Sequence, residues 1–178
     1  MTKQPDLFQV DGPRPYWKIS VCGTWRYLFG WRWDPMRAVA LFMLLNPSMG
    51  DPKQLDATMK KCAGFARRWH LGGFEIINPF AFRTSDPGLL AQVDFDRAVG
   101  PENDAEIWAA LARRPARVVA GWGAFAHPIL GRRLNQLLPA MASHGVHMQA
   151  LRLTNAGAPW HPLYVPYSAQ PRVFVPAS

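Results

Sequence analysis

Three places along the chain pair a chemically able side chain with an abrupt stop in an apolar run. The run Leu41-Phe42-Met43-Leu44-Leu45 ends at Asn46-Pro47-Ser48, with Asp51 three residues on, and Phe74-Glu75-Ile76-Ile77 ends at Asn78-Pro79. Much later, His161 stands between Trp160 and Pro162. A carboxamide offers one acceptor and two donors, so it can pair in bidentate fashion with the edge of a nucleobase. An imidazole can donate to a base oxygen that gains negative charge as a glycosidic bond breaks. Asn46 or Asp51 can hold a water on the sugar side, and Ser48 adds a hydroxyl beside them. Phe80 or Phe82 can stack on the face of a base, Arg83 can hold a phosphate or a structural carboxylate, and Thr154 and Asn155 add polar atoms near His161. Each group also has a plain role: Asn and Ser bond their own backbone in turns, Asp51-Pro52 begins a turn, and a lone histidine satisfies its neighbours.

These residues share a site only if the elements before them end together. Residues 38–45 form a strand, because proline cannot donate to a ladder and Asn-Pro favours a turn. A helix over 55–69 follows, with Asp56 as its cap; Met59, Cys62, Ala63, Ala66 and Trp69 take one side and Lys60, Lys61, Arg67 and Arg68 the other. Further strands are expected at 74–78, 117–123 and 146–153. Helices are expected at 88–93, at 101–113 with Asn103-Asp104 at its head, and at 124–141. Tyr16 to Trp33 is expected as a hairpin, residues 1–15 as an extended lead-in and the tail from Val165 as a surface wrap. Alternation of strand and helix at this spacing implies βαβ units and a parallel sheet. The expected fold is therefore a three-layer α/β/α single domain over 1–178, with a central, mainly parallel four-stranded sheet. Parallel strands bring all four carboxyl ends to one edge, where open α/β sheets hold their ligands.

Composition narrows the partners. The 178 residues carry a net charge of +8, from 15 Arg and 5 Lys against 12 acidic residues. Arginine dominance suits bidentate contacts to phosphate or carboxylate, so a nucleic acid or nucleotide is the expected partner. Eight Trp and ten Phe serve a core and can also stack on bases. Two cysteines without CxxC spacing argue against a zinc or iron–sulfur site and against a disulfide scaffold, and the remaining histidines show no ligand pattern. No cofactor is expected. The chain has no apolar signal region and no stretch long enough to span a membrane, so a cytoplasmic setting is expected.

The ordered motifs Leu-Asn46-Pro-Ser48…Asp51, Asp56-x-Thr58, Asn78-x-Phe-Ala-x-Arg83, Asn103-Asp104, Trp122-Gly123 and Leu-Thr154…Gly-x-Pro-x-His161-Pro-Leu-Tyr164 resemble the bacterial family of domain of unknown function 1643, from about Arg26 to Tyr164. Their order is also similar, more distantly, to that of the uracil-DNA glycosylase superfamily. That resemblance implies a four-stranded parallel sheet between helices, with Asn46 in the water-positioning place, Asn78 as the base-reading asparagine and His161-Pro162 opening the last motif. It departs where Leu163-Tyr164 replaces Ser-Pro, and no apolar wedge with a basic loop is evident. What the resemblance implies is a hydrolase that cleaves an N-glycosidic bond in DNA or a nucleotide. Two other expectations stand beside it: a nucleic-acid or nucleotide module that binds without cutting, and a different small-molecule enzyme on the same scaffold.

Overall fold

The structure, a computed structural model, describes residues 14–50 and 53–175. Its centre is four parallel strands in the spatial order β4 (Gly73–Ile77), β3 (Val39–Met43), β5 (Arg117–Ala120) and β6 (Met148–Ala150). These are the four strands expected from the sequence, three of them shorter than expected and β4 of the expected length but shifted by one residue.

The sheet is larger than four strands. β1 (Arg14–Ile19) and β2 (Arg26–Arg32) form an antiparallel hairpin, and β2 pairs antiparallel with β4. At the opposite edge, β7 (Arg172–Val173) pairs antiparallel with β6. The result is a seven-stranded mixed sheet. The expected four-stranded sheet is corrected accordingly: the hairpin and the tail supply edge strands, which cover hydrogen-bonding edges that β4 and β6 would otherwise expose.

Alternation along β3 shows why both faces need helices. Leu41, Met43 and Leu45 point into one cluster, with Ile107, Ala110, Leu130 and Leu137 of α3 (Asn103–Ala112) and α4 (Pro128–Ser143). Ala40, Phe42 and Leu44 point into the other, with Met59, Cys62, Phe65 and Ala66 of α1 (Ala57–Arg68). A strand buried on both sides is a continuous apolar run, as the sequence of β3 is. A short α2 (Phe95–Val99) adds Ala98 to the first cluster.

One helix begins at its expected cap and another differs from expectation, each for a local reason. α1 begins after Asp56, whose Oδ1 accepts from the Met59 amide at 2.8 Å. α4 starts at Pro128 and not at Ala124, because His127 Nδ1 accepts from the Ile129 amide and proline takes the first helical position. The segment expected as a helix at 88–93 is a 3₁₀ turn over Pro87–Ala91. No helix among the described residues is long and apolar enough to cross a membrane.

Candidate functional site

At the carboxyl ends of β3 and β4, on the α1 side of the sheet, the chain leaves a small cleft. Its cavity is about 60 Å³ and opens to solvent. Leu44, Ile76 and Met59 give it apolar walls, while Asn46, Ser48, Asp56, Thr58, Asn78, His161 and Arg26 supply its polar groups. Three strand-end residues singled out in the sequence, Asn46, Asn78 and His161, therefore come together, with Ser48. Asp51 lies outside the described residues.

Each carboxamide is fixed by backbone. Asn46 Nδ2 donates to the carbonyls of Thr84 at 2.8 Å and Pro47 at 3.2 Å, which commits both amide hydrogens and leaves Oδ1 as its available acceptor. Asn78 Nδ2 donates to the Leu44 carbonyl at 2.8 Å, tying the end of β4 to the end of β3. The turn after Asn78 is braced from behind. Asn103 Nδ2 donates to the carbonyls of Asn78 and Pro79, both at 3.0 Å, and Arg133 Nε donates to Pro79 at 2.9 Å while its Nη2 pairs with Asp104. The Asn103-Asp104 motif thus acts through the position of Asn78.

His161 enters from the far side. A 3₁₀ turn over Pro162–Tyr164 follows it, and His161 Nδ1 accepts from the Leu163 amide at 3.3 Å. The proton of the neutral ring therefore sits on Nε2. Burial holds the imidazole below its ordinary value of 6.5, with a smaller opposing pull from Asp56. Near neutral pH His161 is an uncharged donor. The Trp-Gly motif makes room for this turn: a Cβ on Gly121 would lie 2.8 Å from Pro162 Cδ and 3.0 Å from Leu44 Cδ2. Gly123 has a φ of +78°, and its amide donates to the Pro159 carbonyl at 2.9 Å, docking the segment that carries His161.

Other expected site residues lie elsewhere. Phe80 is fully buried in the α3/α4 core, and Phe82 packs against the same core beneath Arg97; neither lines the cleft. The aromatic ring beside His161 is that of Tyr164, exposed, with ring centroids 6.0 Å apart. Arg83 is a clamp: Nη1 donates to Gly23 and Nη2 to Met49, each at 3.0 Å, which holds the loop after Ser48 against the β1–β2 turn. Thr154 closes a turn with Ala158 and lines a separate apolar hollow with Trp122, Phe125 and Phe174, and Asn155 is exposed.

Three polar cleft residues, Thr58, Asp56 and Arg26, had no part in the expected site. Asp56 caps α1 and also presents its carboxylate to the cleft, where Ser48 Oγ approaches Oδ2 at 3.5 Å. Arg26, at the start of β2, is 4% exposed and lines the cleft. The available signal was an arginine set inside an aromatic, strand-forming run, Trp25-Arg26-Tyr27-Leu28-Phe29. Among the described residues, no group of three His, Cys, Asp or Glu side chains is placed to hold a metal ion.

The chain belongs to the family described as protein of unknown function (DUF1643), whose model matches residues 26–163. The match begins at Arg26 and ends two residues after His161, so it spans every described residue of the cleft. No curated protein and no solved structure matches the chain.

Proposed function

We propose that the cleft binds a nucleobase of DNA or of a nucleotide and that the protein hydrolyses its N-glycosidic bond, in the manner of the uracil-DNA glycosylases its motif order resembles. On this reading the four parallel strands are a uracil-DNA-glycosylase-like core, to which the hairpin and tail add edges. One observation carries it: Asn46, Asn78 and His161, from the ends of three separate strand units, line one cleft.

The roles follow from which atoms are left unused. Asn78 reads the base edge with what its bond to Leu44 leaves available, and Leu44, Ile76 and Met59 contact the ring. Tyr164 takes the stacking role at the mouth that Phe80 and Phe82 cannot fill. Asn46 Oδ1, an acceptor with its own donors committed, holds the attacking water. The water oxygen bonds to C1′, the C1′–N bond breaks, and its electron pair leaves with the base. His161 Nε2–H donates to the base oxygen where that charge collects, and the Asp56 carboxylate takes the proton of the water. A neutral, preorganised donor suits this step, because it need not surrender a charge of its own.

The test is an abasic-site assay on oligonucleotides carrying a panel of damaged or modified bases, with free nucleotides alongside. Release of a base, lost in Asn46→Ala and His161→Ala, is the expected result. If no substrate is cleaved and neither substitution alters ligand binding, the reading fails.

A further inference from the structure

Arg26 is a charged cleft group that the base-hydrolysis scheme does not use. Its guanidinium is buried, and Nη1 finds no hydrogen-bond partner. Five ion pairs are formed among the described residues, and none includes Arg26. The nearest ring, Phe29, is 5.9 Å away. Burial, and then the neighbouring charge of Arg83, push its pKa down to about 10 against a smaller opposing pull from Asp56, which still leaves it charged at neutral pH. Among the described residues the one cleft carboxylate, Asp56, is turned to the Met59 amide and the Ser48 hydroxyl.

A second source of positive potential meets the first. Asp56, Thr58 and Met59 belong to the cap and first turn of α1, a twelve-residue helix, so its N-terminus opens on the same cleft. A buried unpaired charge is destabilising, and an unsatisfied buried polar group in a native protein calls for an explanation, of which a bound ion is one.

We propose that Arg26 and the N-terminus of α1 form an oxyanion subsite, so that the ligand of this cleft carries a full negative charge into it. A neutral carbonyl would satisfy a hydrogen bond but leave the buried charge uncompensated; a carboxylate or phosphate does both, and its paired oxygens match the guanidinium fork. The charge can belong to an acidic heterocycle or to the phosphate of a nucleotide. The inference stands on the geometry of Arg26 and does not require that the bound base be cleaved.

Matched ligand pairs test it by calorimetric titration of the full chain: uracil-6-carboxylate against uracil, deoxyuridine 5′-monophosphate against deoxyuridine, and inorganic phosphate alone. In wild type the anionic member of at least one pair binds about 10- to 100-fold more tightly than the neutral one. Arg26→Met removes that preference, yet melts no lower than wild type without ligand, because the guanidinium has no ion-pair partner among the described residues to strand. Arg26→Lys keeps the charge but not the fork, so it retains part of the preference.

Tight binding of the carboxylate supports both the subsite and a base in the cleft. Binding of phosphate and the nucleotide, but neither of the heterocycles nor the nucleoside, upholds the subsite and removes the base from the cleft. Equal binding of charged and neutral members overturns the subsite while leaving the base reading intact. An Arg26→Met protein that melts lower without ligand, or does not fold, makes the guanidinium a structural group and overturns the proposal.

Discussion

His161 is the residue whose ionisation state the site depends on most. Its Nδ1 accepts from Leu163, so protonation both charges a buried ring and removes the acceptor that holds the following turn. Its folded pKa lies below the ordinary 6.5 because burial disfavours the cation. The unfolded chain therefore binds the proton first. The histidine's contribution to stability is fully present above pH 6.5 and is lost as pH falls through the lower folded value. Denaturant melts of wild type and His161→Gln, compared between pH 7.5 and 5.5, are expected to show a smaller acid loss in the variant; equal losses would place the acid sensitivity elsewhere. Asn46 gives a different expectation. Asn46→Ala removes the hydrogen bonds to Thr84 and Pro47 as well as the free acceptor, so it costs about 1 kcal/mol or more of stability together with any turnover. Asn46→Asp keeps the acceptor, loses those donors, and sets a negative charge against two carbonyls, so it is expected to destabilise more than alanine does in the same melts.

At this scale the sequence was partly legible. Asn46, Asn78 and His161 were visible because each follows a strand and adjoins a proline, a local signal that survives without knowledge of packing. Phe80 and Phe82 were misplaced because an aromatic next to a site residue looks the same whether it faces ligand or core. Only the register of the loop after β4 turns Phe80 inward. The place of Arg26 was not legible for the opposite reason: although its setting in an aromatic run was a signal, its strand reaches the cleft only by pairing with β4 across a long stretch of intervening chain, Gly30 with Glu75 being one such pair.

The elements position these groups by close approach more than by hydrogen bonding. β5 is followed directly by Gly121 because the turn bearing His161 packs on that position. Gly121→Ala, whose new Cβ would meet a proline ring carbon and a buried leucine methyl, is expected to cost about 1–3 kcal/mol and to displace His161. Thermal melts together with the His161 imidazole resonances in NMR spectra would show both effects. A melt unchanged from wild type would mean that the turn yields freely and that the glycine does not position the histidine. Asn103→Ala tests the other wall. It leaves the carbonyl of Asn78 without its donor, at about 1–3 kcal/mol, and loosens the turn without touching the cleft surface. The four parallel strands were legible from their apolar runs, since strands buried on both faces need no alternation to be recognised. The edge strands were not. β7 spans only Arg172–Val173 and owes its existence to a hydrogen-bonding edge that β6 provides.

The whole molecule adds what no single element shows, a strongly cationic surface held in a fixed pattern. Around the α1 side, Arg67 lies 4.4 Å from the ring centre of Trp33, Lys61 and Arg68 lie 4.1 and 4.7 Å from that of Tyr167, and Arg152 lies 4.8 Å from that of Trp160. Resting on aromatic rings, these cations lose little freedom when they meet phosphate, while their charge still faces outward. Trp160 immediately precedes His161, so Arg152 adjoins the proposed cleft, while Arg67 and Arg68 lie in the last turn of α1, the end of that helix away from it. If the cleft takes its base from a nucleic-acid strand, binding should weaken linearly on a double-logarithmic salt plot, with a slope of about −0.7 per phosphate neutralised for a single strand. Replacing Arg67 and Arg68 by Gln should then make that slope shallower by about 0.7 for each phosphate the two arginines neutralise, without altering release of a base from a free nucleotide. Fluorescence anisotropy of a labelled oligonucleotide across a salt series measures the slope. A slope that the two substitutions leave unchanged would confine the ligand to the cleft itself and make a free nucleotide, not a strand, the molecule this surface has to admit.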